Sequence, residues 1–230
     1  MRQFTAKIER LASAPDGGTR AELSATTTHA AGQFYLALAD STRYLRSALW
    51  PADSGGERLI AALPPDLAHL APGDALDLIG PCGRATPLPT PGQNVLIVTG
   101  DDGLSRLRPI VASALSRHCG LTLYSDSPLA LDDLPPEIEA RFGPTHLSES
   151  LNWADVIYVD LPPAELPDLQ ARLGGENLPR PAPPRAIALV LPPAPCGVGA
   201  CGACAVPTTR GWQLACADGP AFELNELTFE

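Results

Sequence analysis

Four of the six cysteines in this 230-residue chain lie close together near its C-terminal end. Cys196 is followed after four residues by Cys201, after two more by Cys204 and after eleven more by Cys216. This C-x4-C-x2-C run with a distant fourth cysteine is one of the spacings by which proteins hold [2Fe-2S] clusters. Two irons bridged by two sulfides need four thiolates in two pairs, and a loop plus a separate strand can supply them. The sequence therefore predicts a [2Fe-2S] cluster with these four ligands.

Glycines are interleaved with these cysteines and support the same prediction. Gly197, Gly199 and Gly202 allow the backbone to take positive φ, so that amides can approach the sulfides and influence the reduction potential. Three alternatives remain, namely a zinc site, disulfides, and buried cysteines that are not connected with one another. A structural zinc site also uses four cysteines, although it usually takes them as two short pairs. Disulfides are rare in the cytosol, where we expect this protein to reside.

The remaining cysteines and the histidines show no such spacing. We interpret Cys82 and Cys119 as ordinary core or loop thiols. The four histidines lie apart in the sequence, and we interpret them as solvent-facing or packing residues: His29, His69, His118 and His146.

Composition excludes several kinds of partner. The net charge of −10 argues against nucleic acid, since Lys and Arg must neutralise phosphates there, and it argues equally against anionic membrane surfaces. No window reaches the ~18 consecutive apolar residues of a spanning helix. The 45% of apolar and 18% of charged residues are typical of a globular protein. These features predict a cytoplasmic protein.

The pattern of apolar residues divides the chain into three parts. Residues 1–90 contain short alternating segments such as QFTAKIERLA and ALDLIG with Gly, Pro and Asp turns, which predict an antiparallel β-barrel. Residues 91–192 alternate strand-like runs (NVLIVTG, LTLYSD, ADVIYVD, AIALVLP) with helical ones, which predicts a parallel α/β domain. Residues 193–230 form a small, Cys- and Gly-rich domain for the cluster.

One helix is predicted in detail after the NVLIVTG strand. Apolar residues recur there at helical spacing, and Gly120 is the expected stop. The recurring positions are Leu104, Leu107, Val111, Ala114 and Leu115.

Several motifs together resemble one protein family. CGVGACGAC followed by ACADGPAFELNEL is similar to the C-terminal iron-sulfur domain of the electron-transfer subunit of dihydroorotate dehydrogenase. AGQFYLALADSTRYLRSALWP, APGDALDLIGPCGRAT and NVLIVTGDDGLSRLRPIVASAL are similar to that family's flavin-binding strands, barrel end and nucleotide loop. The resemblance implies a flavin-binding barrel, an NAD-binding α/β domain and a [2Fe-2S] domain that together serve a flavoprotein partner subunit.

The flavin and nucleotide motifs depart from the family pattern. Arg46 matches the start of the flavin segment and is the candidate FAD residue, but an R-P-x-S run does not follow it, which leaves FAD binding open. The glycine-rich nucleotide loop is reduced to Gly100 and Gly103, with two aspartates between them. Because these carboxylates would repel a pyrophosphate, or cap the helix themselves, the sequence predicts that NAD binding is lost. The family's C-G-P is replaced by residues 160–162, DLP.

The resemblance implies electron relay through the cluster to or from a dihydroorotate-dehydrogenase-like flavoprotein, as a subunit more than as a stand-alone enzyme, in pyrimidine biosynthesis. Two alternatives are kept. The chain could be a self-contained FAD-dependent NAD(P)H:acceptor reductase, or a docking scaffold that keeps only the cluster. No catalytic residue is predicted.

Overall fold

A closed antiparallel barrel forms the N-terminal part of the computed structural model, in the strand order β1-β2-β5-β4-β3-β6. The structure describes residues 1–13, 18–39, 45–53, 58–100, 104–129, 134–175 and 183–229. The barrel strands are β1 (Arg2–Ser13), β2 (Thr19–Leu23), β3 (Phe34–Leu38), β4 (Ser47–Pro51), β5 (Leu59–Leu63) and β6 (Ala75–Cys82). Buried residues alternate with more exposed ones along β5 and β6, as expected for strands with one face toward a barrel interior. The predicted barrel is confirmed.

A six-stranded sheet in the order β14-β11-β10-β7-β8-β9 follows the barrel. Its strands are parallel except β14, which pairs antiparallel with β11. The predicted parallel α/β architecture is thereby confirmed. The elements are β7 (Asn94–Thr99), α1 (Arg108–Ser116), β8 (Gly120–Ser125), β9 (Ile138–Phe142), α2 (Leu147–Trp153), β10 (Val156–Asp160), α3 (Leu166–Gly174) and β11 (Arg185–Leu189), then β12 (Ala205–Thr208), β13 (Gly211–Leu214) and β14 (Ala221–Glu223).

The two central strands of the sheet end at the same edge. β7 and β10 pair in parallel from Val95 opposite Val156 to Thr99 opposite Asp160. Both are continuous apolar runs, as expected of strands covered by side chains on both faces. Their carboxyl ends open into a crevice, which is where open α/β sheets bind ligands.

Helix α1 ends differently from the prediction. Leu107, Val111 and Ala114 are buried as their spacing predicts. The helix ends at Ser116, however, and Gly120 begins the next strand. His118 takes the left-handed conformation at φ 55°, while the amides of His118 and Cys119 donate to the carbonyls of Leu115 and Ala114. A Schellman-type cap on histidine thus replaces the predicted glycine stop.

The helices are short and pack through apolar stripes. In α3 the buried residues Leu166, Leu169 and Leu173 lie on one face. The longest described helices have nine residues. No helix in the described part of the chain is long and apolar enough to cross a lipid bilayer.

The described residues of the C-terminal region, from residue 193 onward, share a hydrophobic core with the barrel and the sheet. Cys204, Cys216 and Phe222 belong to a continuous cluster of buried residues that also contains barrel residues such as Phe34 and sheet residues such as Val159. The ends of the barrel, one face of the sheet and the cysteine loops therefore pack as one hydrophobic unit. Strand β14, which follows the last cysteine, joins the sheet through β11.

The central position of Leu96 gives a test of this packing. Leu96 is fully buried in β7, so Leu96→Ala is expected to lower the free energy of unfolding by about 2–5 kcal/mol through lost contacts and a cavity. Denaturant titration followed by far-UV circular dichroism measures the change. The control is Leu45→Ala, because Leu45 is 65% exposed and its loss should change stability by no more than about 0.5 kcal/mol. Equal effects of the two substitutions would contradict the described core.

Candidate iron-sulfur site

The loop that carries three of the predicted ligands turns repeatedly through positive φ. Gly197, Gly199 and Gly202 have φ values of 66°, 74° and 72°. A side chain is strained in this conformation, which explains why the loop uses glycine at these positions. The turns direct backbone amides toward the cysteine sulfurs that lie between them.

Cys196 and Cys201 form the outer pair of thiols. Cys201 is exposed, and the Cys196 thiol accepts hydrogen bonds from the amides of Val198, Ala200 and Cys201 and from the Cys201 side chain. Burial opposes ionisation of Cys196, but these hydrogen bonds outweigh it and lower the pKa of Cys196 to about 6. The loop therefore stabilises a thiolate, which is the form that binds iron.

Cys204 and Cys216 form the inner pair. Both are buried, their Sγ atoms lie 3.2 Å apart, and the amide of Gly199 donates to Cys216 Sγ at 3.2 Å. Burial first, and then the neighbouring Cys204, raise the pKa of Cys216 to about 12. Two thiols so close resist ionising together unless a cation lies near both sulfurs.

The donor set fits a two-iron cluster. It consists of four thiols arranged as two pairs, with amides directed at sulfur in each pair. The described residues contain no group of three or more His, Cys, Asp or Glu side chains gathered around a single metal position. The thiols lie instead as two pairs, Cys196 with Cys201 and Cys204 with Cys216, and two pairs of thiols match a centre with two irons. Such a cluster, when bound, accepts and releases one electron.

The remaining two cysteines differ in their surroundings. Cys119 is partly buried, and its thiol donates to the carbonyl of Thr90 at 3.3 Å. Cys82 is buried at the end of β6, beneath the cysteine loop, and burial raises its pKa to about 11. Among the histidines, His29 is buried and its Nε2 lies 3.0 Å from the carbonyl of Asp53.

Arg46, the predicted flavin residue, is directed toward the barrel. Its guanidinium donates to the carbonyl of Asp77 at 2.9 Å and forms an ion pair with the Asp77 carboxylate. The hydrogen bond from Arg46 lowers the pKa of Asp77 against the opposing effect of burial, which is the largest influence on that group. Arg46 therefore stays a prediction as a flavin ligand, with its guanidinium engaged by Asp77 in this structure.

A cavity between the barrel and the sheet is better placed for a flavin. Its volume is about 580 Å³, and its lining includes Trp50 and three arginines, namely Arg20, Arg106 and Arg108. The Arg106 guanidinium lies 5.7 Å from the centre of the Trp50 ring. The described lining also contains one carboxylate, Asp66, and Arg106 is paired with Asp160. Guanidinium groups suit a diphosphate and an indole suits an aromatic ring, so the excess of arginines over carboxylates is compatible with FAD. When bound there, FAD would supply the exchange between two-electron and one-electron chemistry.

From the sequence, Arg106 and Arg108 could reach a phosphate but were expected on an exposed helical face, and Arg20 gave no signal. Arg20 lies in β2 and Arg106 and Arg108 near the start of α1, and only the packing of the barrel against the sheet brings them to one cavity. The high arginine content after the nucleotide loop was the only available signal.

A second cavity, of about 900 Å³, lies at the carboxyl edge of the sheet and includes Gly100. Its described charged residues are four carboxylates and two arginines: Asp126, Asp160, Glu165, Asp168, Arg106 and Arg172. Arg106 is bound to the buried Asp160, its Nε donating to Oδ2 at 2.8 Å. An acidic lining repels the pyrophosphate of NAD, so these residues do not fit that cofactor. The second predicted nucleotide residue, Gly103, and its neighbours Asp101 and Asp102 lie outside the described residues.

The chain has a ferredoxin-reductase-like fold, with the four clustered cysteines in its C-terminal region. It is similar to the solved NADH-dependent reduced ferredoxin-NADP oxidoreductase, with a TM-score of 0.78 and 20% identity over 97% of this chain and 89% of that one. It is also similar to the ferredoxin reductase of carbazole 1,9a-dioxygenase, with a TM-score of 0.60 and 19% identity over 80% of this chain and 68% of that one.

The sequence comparisons specify the iron-sulfur region further. Residues 195–228 match the iron-sulfur cluster binding domain of dihydroorotate dehydrogenase B. Two curated relatives, both electron transfer subunits of dihydroorotate dehydrogenase B (NAD(+)), match most of the chain. The protein of Desulforamulus reducens is 25% identical over 71% of this chain and 70% of its own length, and that of Bacillus caldolyticus 29% identical over 70% and 68%. The resemblance predicted from the sequence is confirmed, and the domain match supports the predicted [2Fe-2S] cluster.

Cys204→Ser tests the ligand assignment. A hydroxyl is a poor substitute for a thiolate, so the variant is expected to lose the cluster or hold it only briefly. Electron paramagnetic resonance of the reduced protein measures the cluster. Cys119→Ser is the control and should keep the full signal. A normal [2Fe-2S] signal in Cys204→Ser would contradict the assignment.

Gly197→Ala tests the close packing of the loop. A Cβ at Gly197 would lie 2.8 Å from Leu36 Cδ1 and 3.1 Å from Cys82 Sγ, whereas nothing lies within 4 Å of a Cβ at Gly202. Both glycines have similar positive φ. Gly197→Ala is therefore expected to lower the cluster content after reconstitution well below that of Gly202→Ala, as measured by visible absorbance. Equal contents would show that backbone conformation alone matters.

Proposed function

We propose that this protein is a cytoplasmic electron-transfer subunit. It relays electrons through a [2Fe-2S] cluster held by Cys196, Cys201, Cys204 and Cys216, to or from a flavoprotein subunit that acts on dihydroorotate. The observation that carries the proposal is the arrangement of the four thiols as two pairs, each of which accepts hydrogen bonds from backbone amides. The names of the curated relatives supply the partner and the substrate. The proposed units remain residues 1–90, 91–192 and 193–230.

The relay needs an open side from which the partner can approach. Cys201 is exposed, and the two exposed large apolar residues of the C-terminal region are Val198, in the cysteine loop, and Trp212, in β13. Trp212 and Leu214 point to the same face of β13, and Leu214 lies against Gly199 of the loop. An apolar strip therefore runs from the cysteine loop to Trp212, and we assign it to the flavoprotein partner.

The structure gives less support to a self-contained NAD(P)H reductase. The cavity at the carboxyl edge of the sheet has an acidic lining, which disfavours a dinucleotide phosphate. The arginine-lined cavity near Trp50 suits a flavin, and a flavin there is compatible with the relay as well as with the reductase.

Electron transfer with a partner tests the proposal. The reconstituted protein is mixed anaerobically with the catalytic subunit of a dihydroorotate dehydrogenase B and dihydroorotate, and bleaching of the cluster absorbance is followed by stopped flow. The proposal predicts bleaching that depends on both the partner and dihydroorotate, and little bleaching by NADH alone. Rapid bleaching by NADH without the partner would favour the reductase instead.

Trp212→Ser tests the assigned surface. Buried tryptophans often contribute about 2 kcal/mol or more to an interface, so this variant should bind the partner about tenfold or more weakly. Its cluster signal should stay unchanged, because Trp212 is 71% exposed. Leu45→Ser is the control, since Leu45 is similarly exposed but lies in the barrel part of the chain. Equal affinities of the two variants would exclude the strip as the docking surface.

A further inference from the structure

The end of the last barrel strand contacts the segment that carries the fourth cysteine. The amide of Gly83 donates to the carbonyl of Cys216 at 2.9 Å, and the amide of Arg84 donates to the carbonyl of Gly219 at 2.6 Å. Gly83 has a positive φ of 78°, and a Cβ there would lie 2.6 Å from the carbonyl oxygen of Gly219. The backbone of Gly83 therefore packs directly against the backbone of the segment from Cys216 to Gly219, and a side chain at position 83 would not fit between them.

A side-chain contact adds to these two hydrogen bonds. Arg84 forms an ion pair with Asp218 at 3.2 Å, and the other carboxylate oxygen of Asp218 accepts the amide of Leu214 at 3.0 Å. Asp218 thus closes the turn that carries Cys216 and also binds the barrel. The turn is therefore stabilised by a residue of the barrel end, Arg84, which precedes Asp218 by 134 positions in the sequence.

The same strand end also contacts the loop of the other three cysteines. Cys82 is 1% exposed, and its Sγ would lie 3.1 Å from a Cβ at Gly197, the residue directly after Cys196. Leu36 of β3 lies against the same glycine. The thiol of Cys82 and the barrel side chains beside it therefore form the surface on which the loop rests.

We propose that residues 82–84, which we call the buttress, position the cluster ligands. The two ligand segments are separate in sequence, and residues 82–84 contact both of them, the Cys216 side through backbone hydrogen bonds and the Cys196 side through the Cys82 side chain. It thereby fixes the distance between the Cys196 side and the Cys216 side of the site before iron is bound. Metal centres depend on such supporting contacts, and ligands usually need to be held within about 0.5 Å of the working geometry.

The buttress gives the barrel a role that does not depend on a flavin. The described buried residues of the C-terminal region belong to the same cluster as barrel and sheet residues, which support it from one side. Disturbing the buttress should then loosen the cluster without unfolding the barrel. The inference rests on the cluster proposed above, and its test separates the two.

The test compares two glycines with the same backbone conformation. Gly83→Ala places a methyl group against Gly219, whereas Gly92→Ala, at φ 77°, has nothing within 4 Å. Both variants carry the same conformational strain, so the difference between them isolates the contact of the buttress. Iron loss to a chelator is followed by visible absorbance, together with the electron paramagnetic resonance spectrum and the reduction potential.

Gly83→Ala is expected to lose its cluster about tenfold or more faster than Gly92→Ala, the usual effect of removing support around a metal site. Its resonance spectrum and potential should shift, while those of Gly92→Ala match the wild type. If Gly83→Ala does not fold, Cys82→Ala provides a second comparison, with Cys119→Ala as its control. Cys82→Ala should then lose its cluster faster than Cys119→Ala.

The outcomes separate the two proposals. A wild-type protein that holds no iron-sulfur cluster would overturn the proposed function. A wild-type protein with a normal cluster, and equal rates of loss and identical spectra within each pair of variants, would overturn only the buttress.

Discussion

The Sγ atoms of Cys204 and Cys216 lie 3.2 Å apart where water is excluded, and this contact sets the conditions for the rest of the site. Two thiolates at that distance repel each other by about 5 kcal/mol at an effective dielectric constant of 20. Both become charged only if a cation binds between or beside them, so metal binding must release a proton from the pair. The raised pKa of Cys216 expresses the same constraint. The outer pair differs, because amides already stabilise the Cys196 thiolate.

Holding two thiols this close requires rigid surroundings, and a short glycine-rich region cannot provide them alone. Burial of Cys204 and Cys216 in the core shared with the barrel and sheet supplies part of the rigidity. Strand β14 ties the end of the chain to β11, and the amide of Gly83 ties Cys216 to the barrel. The fold therefore supports an exposed loop from behind, while Cys201 remains accessible from outside.

Much of this arrangement follows from local sequence patterns. The cysteine spacing predicted the iron-sulfur site, and the alternation of apolar runs predicted the barrel and the parallel sheet. Both patterns can be recognised because each is formed by residues that are close together in the sequence. Contacts between distant segments were not accessible in this way. Cys82 has the sequence signature of an ordinary buried thiol, and only the topology brings it beneath Gly197. Arg46 matches a flavin segment locally, but Asp77 competes for its guanidinium. The predicted stop at Gly120 was wrong because His118 takes the left-handed cap.

The central claim is that the four thiols hold two irons. Iron, acid-labile sulfide and zinc analysis of the protein purified without oxygen tests it most directly. The account predicts iron and sulfide in equal amounts, about two of each per chain, with zinc absent. About one zinc per chain, with neither iron nor sulfide, would contradict it.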